Sequence, residues 1–225
     1  MTIEPIAYFR SPVGGKFGLP RQAGVATSIR GTVVLEPAFK SADALRGLEE
    51  FDYIWLIWGF SLNNPAASRN KLTVRPPRLG GNEHVGVFAS RSPFRPNPIG
   101  LSSVRIRDID FAKGLIHTEG ADLADGTPIY DIKPYIEYAD AHSGIRSGFT
   151  DKAAWKCLKV RIPEEIRRRI VPEDLETIEE LLSQDPRPHY HDSPERVYGL
   201  TFKGTDIRFR VDGDELTVVE VLPEA

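Results

Sequence analysis

The sequence predicts a mainly β protein, with a closed or nearly closed β-barrel domain followed by a small α+β C-terminal domain. Short β-rich runs separated by Gly, Pro and Asp dominate the first two thirds of the 225 residues. These runs do not alternate with helices, which argues against a doubly wound parallel sheet. The last third changes to a helical pattern followed by three further β-rich runs. We expect the barrel domain to span residues 1–145 and the C-terminal domain residues 152–225.

Runs of β-branched, aliphatic and aromatic residues indicate the strands of the first domain. They predict strands at residues 29–35, 51–60, 84–89, 103–109, 115–118 and 129–132. One short helix is expected at residues 41–50, with Ser41 as its N-cap. Many short strands with Gly- and Pro-containing turns favour a barrel over an open sheet.

The second domain begins after a loop-like stretch that contains Gly144 and Gly148. Apolar residues at helical spacing predict a helix over residues 163–182, broken at Pro172. Alternating apolar and polar residues then predict a three-stranded meander. Its strands are expected at residues 197–202, 207–211 and 216–222.

Composition restricts the class of protein. With 40% apolar and 27% charged residues the chain resembles a soluble globular protein, and its formal net charge is −3. The single cysteine, Cys157, excludes an intramolecular disulfide framework and a zinc site built from several thiolates. The first residues do not resemble a signal peptide, and the longest apolar run, 53–60, is far shorter than the ~20 residues that span a bilayer. We expect a cytoplasmic protein without a membrane partner.

Basic residues are concentrated in one segment. Between Arg69 and Arg107 there are eight Lys and Arg residues, and the only acidic residue is Glu83. Such a segment fits an anionic ligand held at one place. The alternative is a solvated charged face that acidic residues elsewhere in the fold balance.

Several familiar site motifs are absent. The sequence contains no Gly-x-Gly-x-x-Gly, no Walker loop and no Gly-x-Ser-x-Gly elbow. His189 and His191 form the one local histidine pair, without neighbouring Cys or His ligands, so no metal site is expected. Cys157 lies in a strand-like stretch and is not a favoured nucleophile.

A loop at residues 86–102 is rich in proline and arginine. Pro93, Pro96 and Pro98 stiffen the backbone and leave carbonyl acceptors with few competing N–H donors. Arg91 and Arg95 extend from this stiff loop and are suited to a carboxylate or phosphate. We therefore favour a preorganised site over a rigid turn with two surface arginines.

Two further polar clusters stand out. After a turn at 125–126, period two predicts Asp131 and Lys133 on one face of a strand, with Tyr130 and Ile132 on the other. The Asp–Lys pair is either a surface ion pair or a pair of groups aimed into a barrel mouth. The other cluster is residues 17–22, a loop that offers Arg21 and Gln22 for polar contacts.

Together, residues 20–22, 86–102 and 125–135 resemble the sequence motifs of a family of tRNA N6-methyltransferases built on a single-sheeted β-barrel. The resemblance continues through residues 184–188 and Tyr198, so it covers nearly the whole chain. It implies a homodimer that binds S-adenosyl-L-methionine near the subunit interface. It also implies methyl transfer to N6 of threonylcarbamoyladenosine beside the anticodon of tRNA.

The resemblance also implies particular site residues. Many relatives have a His-Gln pair where this chain has Ser61 and Leu62; backbone contacts to the cofactor would survive this departure, whereas a side-chain role of the His would not. The implied cofactor contacts are Pro20, Arg21, Gln22, Ser61, Leu62, Arg91, Leu101, Asp122, Leu123, Ala124 and Asp125.

The acceptor nitrogen of a threonylcarbamoyl group is amide-like, so a general base should assist the reaction. Asp131 is our candidate base, and Lys133 or Arg95 is expected to pair with the threonyl carboxylate. Arg91 or Arg21 suits the carboxylate of the cofactor. Asn97 and Arg187 are further substrate candidates. Phosphates of the RNA are expected to contact Arg75, Arg78, Arg105, Arg107, Arg187, Arg208 and Arg210, unless these residues only form solvated faces.

Two other functions remain compatible with the same residues. One is a non-catalytic module that binds the cofactor or RNA as a sensor. The other is a methyltransferase with a small-molecule acceptor.

Overall fold

A computed structural model of the chain describes residues 2–13, 15, 18–62, 72–80, 83–153, 156–187 and 193–223. Its first part is a closed antiparallel barrel with the strand order β1-β2-β7-β6-β3-β8, in which β1 pairs with β8. The predicted barrel is confirmed. Its strands are β1 (Ala7–Arg10), β2 (Arg30–Leu35), β3 (Tyr53–Gly59), β6 (Ile99–Asp110), β7 (Leu115–Glu119) and β8 (Pro128–Pro134).

Apolar side chains fill the inside of the barrel. Along β3, for example, Ile54, Leu56 and Trp58 are buried and alternate with outward-facing residues. Gly31 leaves the space that the Phe9 ring occupies, because a Cβ at Gly31 would lie 2.2 Å from that ring. A ligand must therefore bind at an end or on the outer wall of this barrel.

All three predicted site segments lie at one end of the barrel, which we call the upper rim. Because neighbouring strands are antiparallel, β1, β3 and β7 end where β2, β6 and β8 begin. The loops at this rim connect β1 to β2, β3 to β6 and β7 to β8, and their described residues are 11–13, 15, 18–29, 60–62, 72–80, 83–98 and 120–127. The topology therefore brings together loops that are far apart in sequence.

The C-terminal unit is a sheet with the order β10-β11-β12-β9, in which β9 is parallel to β12. The predicted meander is confirmed, and the short β9 is an additional strand. Its apolar core includes Val13, Ala26 and Ile29 of the rim loops, so this unit packs on the upper rim. The elements are β9 (Lys159–Arg161), α4 (Glu164–Arg167), α5 (Leu175–Ser183), β10 (Tyr198–Phe202), β11 (Thr205–Asp212) and β12 (Glu215–Pro223).

The predicted helices are shorter than expected. Ser41 caps α1 (Ala42–Leu45) as predicted, but the helix ends at Arg46, whose ψ of 126° is not helical. Gly47 at φ 84° then precedes a 3-10 turn. The helical stretch before the meander is indeed broken at Pro172, which starts a 3-10 turn between α4 and α5.

The predicted strand at residues 84–89 is mostly wrong. Only β5 (Val85–Gly86) is extended, and it pairs with β4 (Thr73–Val74). A 3-10 turn follows it. The short helices α2 (Glu137–Asp140) and α3 (Phe149–Lys152) follow β8. No helix in the described part of the chain is long and apolar enough to span a membrane.

Candidate functional site at the barrel rim

The proline-rich loop is held by hydrogen bonds of its own. Arg95 donates from Nη1 to the Ser90 carbonyl at 3.2 Å, and its backbone N–H donates to the Pro93 carbonyl at 3.0 Å. The Pro98 carbonyl accepts from Phe60 N at 3.0 Å, which ties the loop to the end of β3. These bonds hold the loop in place, and the Pro93 and Pro98 carbonyls each accept one hydrogen bond from the chain itself, which leaves one lone pair on each for a ligand.

Gln22 joins this loop to the loop before β2. Arg91 donates from Nη1 to Gln22 Oε1 at 2.5 Å, and Gln22 Nε2 donates to the Arg21 carbonyl. The exposed Arg91 guanidinium has more N–H donors than this one bond uses. The structure thus brings Gln22 and Arg91 together, as the sequence motifs predicted.

Arg21 faces the C-terminal unit. Its Nη2 donates to the Asp185 carbonyl at 3.3 Å. Burial lowers the pKa of Arg21 to about 10, while the charge of Asp185 opposes that shift and the nearby Arg78 adds to it. Of the two arginines considered for a ligand carboxylate, Arg91 is therefore the more accessible.

A buried hydrogen-bond chain leads from the barrel interior to Asp122. Trp58 Nε1 donates to Ser102 Oγ at 3.0 Å, and Ser102 Oγ donates to Asp122 Oδ1 at 2.5 Å. Burial raises the pKa of Asp122, against the effect of hydrogen bonds from Ser102 and from the backbone of Ala23 and the attraction of the Arg91 charge. Asp122 therefore lies where all three rim loops meet. Sequence reasoning did not find Trp58 or Ser102, because their contact depends on strand register.

The other implied cofactor contacts near Asp122 have buried side chains or are bonded within the rim. The side chains of Leu123 and Ala124 are buried, and Leu123 belongs to the barrel core. Only their main chain is available to a ligand. Asp125 accepts from Ser11 N at 3.0 Å and lies 3.5 Å from Arg10, so it secures the β1 side of the rim. Pro20 is buried.

The predicted contacts near β3 and β6 are exposed. Ser61 and Leu62 follow β3 and are solvent-exposed. Leu101 lies on the outer wall of β6, beside Ile57 of β3, with 55% of its surface exposed. It directly precedes Ser102 in the chain, so the rim site continues onto this wall.

Asp131 and Lys133 form an exposed ion pair on the same outer wall. Lys133 Nζ lies 3.0 Å from Asp131 Oδ2, and Asp131 Oδ1 accepts from Ile132 N. Asp131 pairs with Ile57 and Lys133 with Trp55, both of which face outward. Of the two alternatives for this pair, the structure shows the surface ion pair.

A β-bulge in β8 makes the prediction for Tyr130 wrong. Ile129 pairs with Trp58 and Asp131 with Ile57, so Tyr130 is the extra residue. The Tyr130 hydroxyl lies 2.5 Å from where a Cβ at Gly59 would be, on the outer wall. Tyr130 and Asp131 therefore share one face.

The substrate candidates differ in accessibility. Asn97 is exposed, and Arg95 is partly buried against its own loop. Arg187 makes a bidentate pair with Asp185 at 2.8 and 2.9 Å, and only 13% of its side chain is exposed. The prediction that Arg187 contacts substrate is not supported by this geometry, because the pair occupies its guanidinium.

The other predicted positions that the structure describes make contacts outside the Gln22–Arg91–Asp122 cluster. Arg208 and Arg210 share the exposed face of β11 as predicted, and Arg208 pairs with Asp206 and Glu220. Arg75 donates to His84 Nε2 at 2.8 Å. His189 and His191 lie outside the described residues. Among the described residues no three His, Cys, Asp or Glu side chains converge as metal ligands would.

Fold and site define the chain as a single-sheeted β-barrel protein with an arginine, a carboxylate and a stiff loop converging at one rim. Sequence models identify the particular family. Residues 8–141 match the N-terminal domain of tRNA-methyltransferase O, and residues 150–224 match the C-terminal domain. The chain belongs to the tRNA-methyltransferase O family.

Individual relatives align with the whole chain. One of them, from Pseudomonas aeruginosa, is named "Putative S-adenosylmethionine-dependent methyltransferase RcsF" and is 40% identical, covering 96% of this chain and 94% of the relative. The tRNA (adenine(37)-N6)-methyltransferase of Escherichia coli is 37% identical, covering 92% of each. A crystal structure of TrmO from Pseudomonas aeruginosa superposes with a TM-score of 0.81 at 35% identity, covering 99% of this chain and 97% of that one.

Proposed function

We propose that the chain is an S-adenosyl-L-methionine-dependent methyltransferase that methylates N6 of threonylcarbamoyladenosine beside the anticodon of tRNA. The observation that carries the proposal is the convergence of Gln22, Arg91 and Asp122 at the upper rim. Membership of the tRNA-methyltransferase O family over both units supports it. A tRNA substrate is consistent with a cytoplasmic enzyme.

The residues at the rim fit this cofactor. Its amino-acid end carries one carboxylate and one ammonium, and the rim offers one exposed guanidinium and one carboxylate that attract each other. Arg91 would hold the carboxylate, and Asp122 the ammonium through the oxygen that Ser102 does not use. Leu101 offers apolar surface on the adjoining wall. When bound, the cofactor supplies a methyl group on a positively charged sulfur.

The chain's own part in the reaction is to orient the acceptor and remove the N6 proton. We assign the base to Asp131, whose Oδ2 is engaged by Lys133 before substrate binds. A threonyl carboxylate that binds Lys133 would compete with Asp131 for the ammonium and free that oxygen to accept the proton. Lys133 thereby couples substrate recognition to the availability of the base.

We further propose that the enzyme works as a homodimer. The outer wall of β6, β3 and β8 exposes the large apolar side chains of Tyr53, Ile99 and Leu101 next to the proposed base. Exposed apolar patches of this kind mark interaction surfaces. A second copy of the chain would cover this wall and complete the site. Light scattering should report a dimer, and Leu101→Glu should shift it to monomer.

Transfer of a labelled methyl group to tRNA that lacks the N6-methyl mark tests the proposed activity. We expect label in threonylcarbamoyladenosine, and its loss in Arg91→Gln. As a matched control, Arg46→Gln alters an exposed arginine that pairs with Asp43 beyond the other end of β2. Cofactor binding without methyl transfer would favour a non-catalytic sensor module. Methyl transfer only to a small molecule would favour a methyltransferase with a small-molecule acceptor.

A further inference from the structure

A second cleft with basic walls lies where the C-terminal unit meets the rim ends of β1 and β2, and none of Gln22, Arg91 and Asp122 lines it. We call it the junction cleft; its volume is about 250 Å³. Arg10, Arg30, Arg107 and Lys203 line it, and no carboxylate is among the described residues that do so. The other lining residues are Ser11, Pro12, Gly31, Thr32, His117 and Thr118.

Strand register brings these cations together. Arg10 of β1 pairs with Thr32 of β2, which in turn pairs with His117 of β7. Arg30, two residues before Thr32, shares the outer face of β2. In β6, Arg107 is the extra residue of a bulge, because Ile106 and Asp108 pair with the adjacent Thr118 and His117. The bulge thus adds one more cation to this wall.

Lys203 comes from the other unit. It occupies the turn between β10 and β11 with φ 48°, and its backbone N–H donates to the Pro12 carbonyl at 2.8 Å. Its ammonium pairs with Asp174 at 2.5 Å. The junction cleft therefore exists only when both units are in contact.

The arginines of the cleft are weakly neutralised. Glu119 lies 3.7 Å from Arg107 and 4.0 Å from Arg30, and it is also shared with Arg105 at 3.9 Å. Arg10 lies 3.5 Å from Asp125. Each of these arginine side chains is at least half exposed, and long exposed ion pairs are easily exchanged for a ligand.

A neighbouring cleft differs in charge. It has a volume of about 400 Å³ and shares Pro12, Arg30 and Lys203 with the junction cleft. Besides Glu119, this cleft is lined by carboxylates of the C-terminal unit that would repel phosphate, and one of them, Asp174, pairs with Lys203. These carboxylates are Glu173, Asp174 and Glu176. A polyanion is therefore directed toward the junction cleft.

We propose that the junction cleft binds the phosphodiester backbone of the RNA substrate, an inference that rests on the proposed tRNA activity. Guanidinium groups form forked hydrogen bonds with phosphate oxygens. The Ser11 hydroxyl accepts from Val13 N and keeps its own O–H as a further donor. Several cations along one wall match successive phosphates of a strand. The site also explains why a C-terminal unit is attached to the barrel, since Lys203 completes it.

The test is tRNA binding measured by fluorescence anisotropy over a range of salt concentrations. Arg30→Gln and Arg107→Gln keep the aliphatic stems and remove the charges. Each should weaken binding by about three- to tenfold, and each should reduce the slope of log Kobs against log salt by about 0.9 per lost contact. Affinity for S-adenosyl-L-methionine should stay unchanged, and Arg46→Gln should behave like wild type in both measurements.

The outcomes separate this inference from the proposed function. A double variant that combines Arg30→Gln and Arg107→Gln decides between the two. If the wild-type chain methylates tRNA but this double variant keeps the wild-type salt slope, the inference is wrong and the proposed function stands. If wild type neither binds nor methylates tRNA, both are wrong. If the double variant loses calorimetric binding of inorganic phosphate yet binds tRNA with an unchanged slope, the cleft serves a free phosphate, which also overturns the inference.

Discussion

Charged groups at the upper rim and on the outer wall of the barrel are held in different ways. At the rim, Asp122 is partly buried and bonded to Ser102, and burial raises its pKa. On the wall, Asp131 pairs with Lys133 with 45% and 61% of their side chains exposed. Fixed, desolvated groups suit one ligand geometry, whereas exposed pairs can exchange partners during a reaction. The comparison predicts that loss of a buried contact at the rim alters stability and binding together, whereas a change at the exposed Asp131–Lys133 pair alters the rate of methyl transfer with little effect on stability.

The largest expected effect is on the rate of methyl transfer and comes from a substitution on the outer wall. Asp131→Asn should lower the single-turnover rate of methyl transfer about 100-fold, because an amide cannot take the N6 proton. The free energy of unfolding should change by less than about 0.5 kcal/mol, because the pair is exposed. Asp110→Asn is the matched control, since Asp110 forms a similar pair with Lys113 at 3.2 Å. If Asp131→Asn transferred the methyl group at the wild-type rate, Asp131 would not be the general base.

At the rim, Asp122→Asn should weaken binding of S-adenosyl-L-methionine about 30-fold, because the ammonium loses its charged partner. Isothermal titration calorimetry would measure the change. Asp108→Asn alters an exposed carboxylate on the strand that carries Ser102 and should bind as wild type does. Equal affinities for the two variants would exclude Asp122 from the cofactor site.

Ser102→Ala should act on stability and binding together. The substitution leaves the buried Trp58 N–H without its acceptor and removes a donor from Asp122. We expect a loss of about 1–3 kcal/mol in urea unfolding and a cofactor affinity lower by about tenfold. Ser103→Ala, at the next position of the strand but outward-facing, should change neither quantity. If stability fell but cofactor affinity did not, the hydrogen bonds from Trp58 through Ser102 to Asp122 would have only a structural role.

The smallest expected effect is on the pH dependence of the free energy of unfolding. Because burial raises the pKa of Asp122 above 3.8, the folded chain binds more protons than the unfolded chain between that value and the raised one. This group therefore stabilises the fold below pH 3.8, and its contribution is lost as pH rises through the raised pKa. Wild type should lose stability relative to Asp122→Asn over this range in urea unfolding, while its cofactor affinity rises. Parallel stability curves would contradict the burial of Asp122.

Much of the fold could be predicted because residue type and side-chain alternation mark the long strands. β3 lies in a continuous run of aliphatic and aromatic residues, and in β11 buried apolar residues alternate with polar ones, so both could be located from the sequence. β1 and β9 have four and three residues, too few for a periodic signal. The first helix is shorter than expected because Arg46, at ψ 126°, already leaves the helical conformation.

The candidate site could be predicted only in part. The motifs gave Gln22, Arg91 and Asp122, and the antiparallel topology brings them together. The bulge at Tyr130 reversed the predicted face, because one extra residue shifts a period-two pattern. From the sequence, Arg187 is a candidate to bind phosphate, yet its guanidinium pairs with Asp185, two residues away. Such pairings depend on turn geometry that residue types do not specify.

The rim loop before β2 lies directly on the C-terminal sheet. A Cβ at Gly18 would lie 1.8 Å from Leu200 Cδ1, and Ser28 Oγ donates to Glu180 Oε2 at 2.6 Å. Val13, Ala26 and Ile29 of this loop belong to the apolar core of the C-terminal unit, whereas the barrel has an apolar core of its own. Loss of the C-terminal unit should therefore leave the barrel folded but release the loop that carries Gln22, and so weaken methyl-donor binding without removing a ligand contact.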